Sequence, residues 1–338
     1  MYKRQRTQLS FYDTIYDRAV PRDHFLRKLN DVIDWNRFEK YFQDLYPSSV
    51  GNPAYNPLMK FKAIVLQFLY DLSDRQLEEQ LNDRISFRYF IGVDPTERVP
   101  DHSVYCRFRD LLGSERIAEL FNEVVTQARS KGIVKDRLCI VDATHVQAKV
   151  NTYQMNNMTT DKSNDDSPSH VDPDASYGYK SKNNPFFGYK VGIGLDKDSN
   201  IVTQVTATTG SKHDSTHFVD VADPHAIAVV ADKGYDTPEN FEHLRTQNQY
   251  PAIIVKHRKW KKHGHIIARY KNAKEYHRYY RLKKFRSYIE KMFAISKQWY
   301  GLRRARYWGL HKMKIQAILT MMAINLKRIV TLETCLQT

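Results

Sequence analysis

At Arg137 the hydrophobic periodicity of the chain changes, and this change limits what it can fold into. Upstream, Leu58, Phe61, Ile64, Val65, Phe68, Leu69 and Leu72 recur at helical spacing. Downstream come short runs rich in β-branched residues: RLCIVDATHV (137–146), 187–195, 200–208, AIAVVAD (226–232) and YPAIIV (250–255). Such a chain puts a helical region ahead of a sheet with flanking helices.

Local signals refine that division. Pro57 can open the first apolar helix at its first turn. Ser73 followed by Gln76 has the form of a capping box and predicts a helix to about Asn82. Pro100 and Asp101 open a third helix, DHSVYCRFRDLL, with Gly113 placed to stop it, and a fourth, SERIAELFNEVVTQARSKG, ends at Gly132. Residues 1–136 thus form a helical region for DNA binding or dimerisation. Its short helices and tight turns accommodate a helix-turn-helix in which Arg107 and Arg109 face DNA; a scaffold role for the same helices stays open. The second region, 137–330, begins with a strand and a polar stretch, 149–186, whose Asn, Asp, Ser and Pro predict a loop or insertion. Strands 187–195 and 200–208 are joined by a short polar turn. TPENFEHLRTQ, with Thr237 as its cap, lies between the last two strands. A long basic helix over 276–299 and an amphipathic helix over 311–330 follow. An antiparallel meander followed by alternating strands and helices predicts a mixed five-stranded sheet with helices on its faces. No internal repeat is evident.

The net charge is +15 across 338 residues, and its distribution is uneven. From Lys256 to Lys314 there are 20 Lys and Arg against two acids, Glu275 and Glu290. That balance suits a polyanionic partner. Trp260, Tyr270, Tyr276, Tyr279, Tyr280, Trp299, Tyr300, Tyr307 and Trp308 interleave with the charge. Their rings serve either the core or stacking on unpaired bases. Three scattered cysteines, none at zinc-ligand spacing, fit a reducing cytosol. The apolar run 58–72 is interrupted by lysines, and MYKRQRTQLS has no apolar core of a signal peptide, so the expected location is cytoplasmic, with no membrane partner. Neither a GxxxxGK[ST] loop nor a GxSxG elbow is present, which removes support for nucleotide hydrolysis and serine esterase chemistry.

Three acids are the candidates for chemistry, though Glu290 could also simply pair with neighbouring Arg or Lys on a solvated face. Asp142 and Asp232 sit where strand-forming runs give way to loops, and Glu290 lies in the basic helical segment. Cleaving a phosphodiester needs an activated water or hydroxyl and neutralised oxygens; two Mg²⁺ ions held by carboxylates supply both. On a straight helix Tyr279, Arg286, Glu290 and Lys297 fall on one stripe, which would turn Glu290 to the aspartates with Arg286 and Lys297 beside it for phosphates. A strand-end Asp is also a common cap or turn residue. Thr144 shares a strand face with Asp142, and His145 points away. His213 and Asp214 either flank the metal site or cap a helix, Asp236 is a candidate cap, and Gly234 suits a turn.

Six segments resemble, in order, those of bacterial insertion-sequence transposases of the DDE class, in the IS-four/IS-five superfamily. YNPLMKFKAIVLQFLYDLSDRQLEEQLNDRISFRYFIGVD and VPDHSVYCRFRDLL resemble the helical N-terminal region. VDATHV, TTGSKHDS and VVADKGYD resemble the blocks around the first two catalytic aspartates. RSYIEKMFAISKQWYGLRRARYWGLHKMKIQAILTMMAINLKRI resembles the block of the catalytic glutamate. The resemblance implies a ribonuclease H-like domain with Asp142, Asp232 and Glu290 as catalytic and metal-binding triad. It implies Mg²⁺ as cofactor, with Mn²⁺ as a substitute. Its implied partner is double-stranded DNA, both terminal inverted repeats and target, held by a homodimer in a synaptic complex. Of the superfamily's Tyr-Arg-Glu-Lys signature, Arg286, Glu290 and Lys297 are present, but Lys283 stands at the Tyr position, with Tyr279 one turn earlier. Lys283, Tyr279, Arg303, Arg304 and Arg306 join Arg286 and Lys297 as expected DNA contacts. A domesticated DNA-binding protein and a stand-alone nuclease of the same fold are the alternatives.

Overall fold

In the computed structural model, Ser73 and Gln76 close the expected capping box. The Ser73 hydroxyl accepts from the Gln76 amide at 3.3 Å, and the Gln76 carboxamide accepts from the Ser73 amide at 2.9 Å. The structure describes residues 11–46, 54–150, 172–181, 184–256, 270 and 272–337; Trp260 and residues 151–171 of the polar stretch lie outside them. The chain divides into two compact units, Met1–Val134 with Ile318–Thr338, and Lys135–Ala317.

The first unit is helical: α1 Phe11–Ala19, α2 Phe25–Val32, a 3₁₀ turn Trp35–Phe42, α3 Pro57–Leu69, α4 Asp74–Asp83, α5 Ile85–Ile91 and α6 His102–Ser130. Asn56 caps α3, its side chain accepting from the Leu58 and Met59 amides, with Pro57 at the first helical position. Every residue of α3 from Pro57 to Phe68 is buried, including Lys60, Lys62 and Gln67, so this is a helix enclosed on all sides. The expected third and fourth helices are two arms of α6, joined at Gly113. That residue has φ +66° and ψ 176°, a conformation open essentially to glycine alone.

The second unit holds β1 Cys139–Gln147, β2 Ser176–Ser181, β3 Asn184–Asp196, β4 Val202–Thr209, α7 Phe218–Val221, β5 Ala228–Ala231, α8 Pro238–Thr246, β6 Tyr250–Ile253, α9 Ala273–Leu282 and α10 Tyr288–Trp299. The sheet runs β2-β3-β1-β5-β6, with β4 also paired to β3. Strand β1 is antiparallel to β3 and parallel to β5, and β5 is parallel to β6. This is the expected mixed, ribonuclease H-like sheet, with six strands rather than five. The extra strand, β2, arises inside the polar stretch 149–186. Tyr177 and Tyr179 are exposed on it, and Gly178 between them is buried, where a Cβ would come within 2.4 Å of the Gly210 carbonyl oxygen. Composition hid that alternation.

Thr237 caps α8 as its sequence predicts, accepting from the Asn240 amide at 3.3 Å. The basic helix expected over 276–299 is instead α9 and α10 separated by a 3₁₀ turn, Lys283–Ser287. The final helix, α11, spans Leu310–Gln337. It includes a stretch, Leu310–Cys335, long and apolar enough to cross a membrane, but most of its apolar part is buried, as in a core helix.

Candidate active site

Strand β5 ends at Ala231 beside the middle of β1, where Val141 is its register partner. Asp142 and Asp232, one residue further along each parallel strand, therefore emerge side by side at the edge where β5 stops. Ligand sites in sheets of this kind form at such carboxyl ends. Asp232 precedes the 3₁₀ turn Lys233–Tyr235, and its side chain makes no capping hydrogen bond there.

Glu290 reaches the same region from α10, which packs on β1, while the turn Lys283–Ser287 packs on β5 and β1. Ile289, Met292, Phe293 and Ser296 anchor the buried side of α10, and Glu290 lies on its exposed side. Arg286, in the turn, bridges the acids. One guanidinium nitrogen donates to Asp142 Oδ2 at 3.2 Å and the other to Glu290 Oε1 at 2.8 Å. The Ala143 amide donates to Asp142 Oδ1 at 2.8 Å. Burial pushes the Asp142 carboxyl up to about 6; the Ala143 amide and Arg286 pull it down, and the negative charges of Asp232 and Asp214 add to the rise.

Asp214, expected either to flank the metal site or to cap a helix, is a further acid at this edge, its charge felt by Asp142. The cap of the 3₁₀ turn Asp214–His217 is His213, whose ring accepts from the Ser215 amide at 3.3 Å. Asp214 instead pairs with Lys190 of β3 at 2.9 Å. Its turn packs against Lys233–Tyr235, the turn following Asp232. Among the described residues the buried Tyr235 hydroxyl has no hydrogen-bond partner, and burial, joined by the negative charges of Asp142, Asp214 and Asp232, raises its pKa well above the ordinary phenol value. Nothing in the local sequence marks Lys190 or Tyr235, because their roles come from turns meeting across the sheet edge.

Carboxylate oxygens are the ligands a hard divalent cation takes, and Asp142 with Asp232 fit such an ion. Among the described residues no three His, Cys, Asp or Glu side chains yet converge as one metal-binding group. Glu290 is held to Asp142 through the guanidinium of Arg286 rather than directly.

The expected DNA contacts separate into three sets. Arg303 is exposed, Lys297 is half-buried on α10, and Lys283 lies over the Tyr280 ring at 4.0 Å. Arg304 is engaged within the chain, donating to the carbonyls of Val150 at 2.7 Å and Ala148 at 3.4 Å; Arg306 is half-buried, its amide donating to Gln316. Arg107 is exposed and donates to the Ser103 hydroxyl at 2.7 Å. Two expectations are corrected. Tyr279 is off the Glu290 stripe because the 3₁₀ turn breaks the helix, and it is buried, stacked on Tyr270 with ring centroids 4.7 Å apart. Arg109 does not face DNA: it is buried, donating to both carboxylate oxygens of Asp74 at 2.6 and 2.8 Å and to Gln67 at 2.8 Å. Asp236 accepts from the Lys256 amide, and His145 packs on Phe186, so both act in structure here.

Residues 134–326 match the family model described as "Transposase DDE domain", and residues 14–111 match "Transposase domain (DUF772)". Two solved structures are similar at a distance. The piggyBac transposase synaptic complex with hairpin DNA shares 10% identity over 91% of this chain and 73% of its own, at a TM-score of 0.43. A pre-cleavage Mos1 transpososome shares 11% identity over 88% of this chain and 85% of its own, at a TM-score of 0.20. The family matches span most of the chain; the two structural likenesses are too remote to add to them.

Proposed function

This chain belongs to the transposase DDE-domain family and is a DNA transposase, and we propose that it cuts DNA at the terminal inverted repeats of an insertion sequence and joins the freed ends to target DNA. Asp142, Asp232 and Glu290 are the acids of the reaction in this reading. The adjacency of Asp142 and Asp232 beyond the Val141–Ala231 register pair is the observation that carries it. When bound, divalent ions, Mg²⁺ or Mn²⁺ in its place, activate the attacking oxygen and neutralise charge on the leaving one. Asp142 and Asp232 would hold such ions from the sheet edge, with Glu290 joining them from α10. The half-buried setting of Asp142 makes its charged form costly without a nearby cation. Lys297, Lys283, Arg303 and Arg286 hold phosphates beside the acids, and the exposed Arg107 of the helical unit adds a contact of its own. The same acids serve both steps, with water as nucleophile in nicking and the freed 3′-hydroxyl in strand transfer. A homodimer pairing two ends in the bacterial cytoplasm completes the proposal.

The test uses purified protein, a duplex carrying the inverted repeats that bound its gene, and Mg²⁺. Nicking at the repeat ends, and strand-transfer products from pre-cut ends, are expected of the wild type. Asp142→Asn, Asp232→Asn and Glu290→Gln are expected to bind the duplex and leave it uncut. Cleavage retained in these variants refutes the assignment, nicking without strand transfer identifies a nuclease, and binding without nicking by the wild type identifies a domesticated DNA-binding protein.

A further inference from the structure

We propose that Arg286 is a positioning residue: an internal cation that holds Asp142 and Glu290 together and, when a metal ion takes their oxygens, passes to a phosphate of the DNA. The inference rests on the reading of these acids as metal ligands. Both oxygens of Asp142 are engaged, Oδ1 by the Ala143 amide at 2.8 Å and Oδ2 by Arg286 at 3.2 Å. The backbone bond is fixed by the strand, so an ion approaching Asp142 competes with the guanidinium for Oδ2. The same competition applies at Glu290 Oε1, 2.8 Å from the other nitrogen. A guanidinium keeps its charge at any working pH, so it cannot release the acids by losing a proton. Left beside a divalent cation, it is repelled unless it finds another anion.

The surroundings permit that exchange. Lys190 already pairs with Asp214 Oδ1, and Asp232 is itself a proposed ligand of the ion, so neither neighbouring acid is a ready replacement for Arg286. The Arg286 side chain is 29% exposed and that of Glu290 57%, so both can turn outward without unpacking α10, whose buried residues lie on its other side. Phosphate matches the planar fork of arginine as well as carboxylate does. Metal and DNA therefore bind cooperatively, each favouring the state in which Arg286 has left the acids, and the coupling is reciprocal. The ordering also protects the free protein: acids paired to their own arginine have little call on metal until DNA arrives.

The test is calorimetric titration of the full chain with Mn²⁺, with and without a short random-sequence duplex. Arg286→Gln is expected to bind Mn²⁺ about fivefold or more tightly than the wild type in the absence of DNA. Duplex is expected to tighten Mn²⁺ binding by the wild type and to do so less in the variant. Arg286→Lys, which keeps the charge without the fork, is expected to fall between them, and it carries the test should Arg286→Gln not fold. Mn²⁺ affinity unchanged or weakened in these variants overturns the proposal. Asp142→Asn separates the two levels of inference. Loss of Mn²⁺ binding there with no change in Arg286→Gln sinks the role of Arg286 alone, whereas Mn²⁺ binding retained in Asp142→Asn sinks the metal assignment itself.

Discussion

Asp142 and Asp232 leave adjacent parallel strands side by side, each one residue beyond the register pair Val141 and Ala231. Neither depends on a flexible loop for its direction, since β1 continues to Gln147 against β3 and β5 is wholly buried. Two like charges so placed favour a shared cation. Either Asp→Asn change should weaken Mn²⁺ binding at least about tenfold, because even residues outside the ligand shell commonly cost that much. The double variant should lose less than the two single losses combined, as expected of two acids proposed to share one ion. Titration calorimetry reads the cycle; strictly independent losses would mean that the aspartates do not share an ion.

Arg109 belongs to the packing of the first unit. It joins α6 to Asp74 at the start of α4 and to Gln67 in α3. Removing one member of a buried pair leaves the other charge uncompensated. Arg109→Ala should therefore destabilise the protein by about 3 kcal/mol in urea unfolding. Arg107→Ala, on the exposed side of the same helix, should stay within about 0.5 kcal/mol of the wild type. Equal effects at the two positions would contradict the burial difference.

What could be read in the sequence was mostly local. The Ser73–Gln76 box, the Thr237 cap and the strands around Asp142 and Asp232 each depend on residues within a turn or a strand of one another, and each appears in the fold. The position of Asp232 beside Asp142 followed from strand order. Contacts between distant segments were hidden: Arg109 looked like a DNA contact because Asp74 is 35 residues away. The pairing of Asp214 with Lys190, on another strand, leaves no local mark. Arg286 was assigned to phosphate, and its bond to Asp142 spans 144 residues. Tyr279 leaves the Glu290 stripe because the stripe needs an unbroken α-helix through residues 283–287, where the chain tightens into a 3₁₀ turn.

Gly113 offers a test of how α6 is built. Its positive φ lets one arm of the helix end and the next begin without a loop. An alanine there meets the steric penalty of that conformation, so Gly113→Ala should lower stability by about 2 kcal/mol in urea unfolding. A variant as stable as the wild type would show that α6 can run straight through this position.

Lys62 gives the first unit a pH dependence of known sign. Its ammonium is buried in α3, donating to Asn30 Oδ1 at 3.0 Å and facing the rings of Trp35 at 4.8 Å and Phe90 at 5.3 Å. Burial lowers its pKa from 10.5 to about 7, because the charged form is poorly solvated; the two ring faces return part of that loss. Below about pH 7 the amine is charged in both folded and unfolded chains, and the whole penalty falls on the folded state. As pH rises from 7 towards 10.5 the folded amine is neutral while the unfolded one still carries its proton, so the penalty fades. Lys62→Met should thus raise Tm by about 5 °C at pH 6, with the gap over the wild type narrowing as pH climbs beyond 7. Lys60, also lowered by burial, to about 8, is present in both proteins and cancels from the difference. A gap that stayed level, or widened, between pH 7 and pH 10 would show that the Lys62 amine is not held away from solvent as its ring contacts imply.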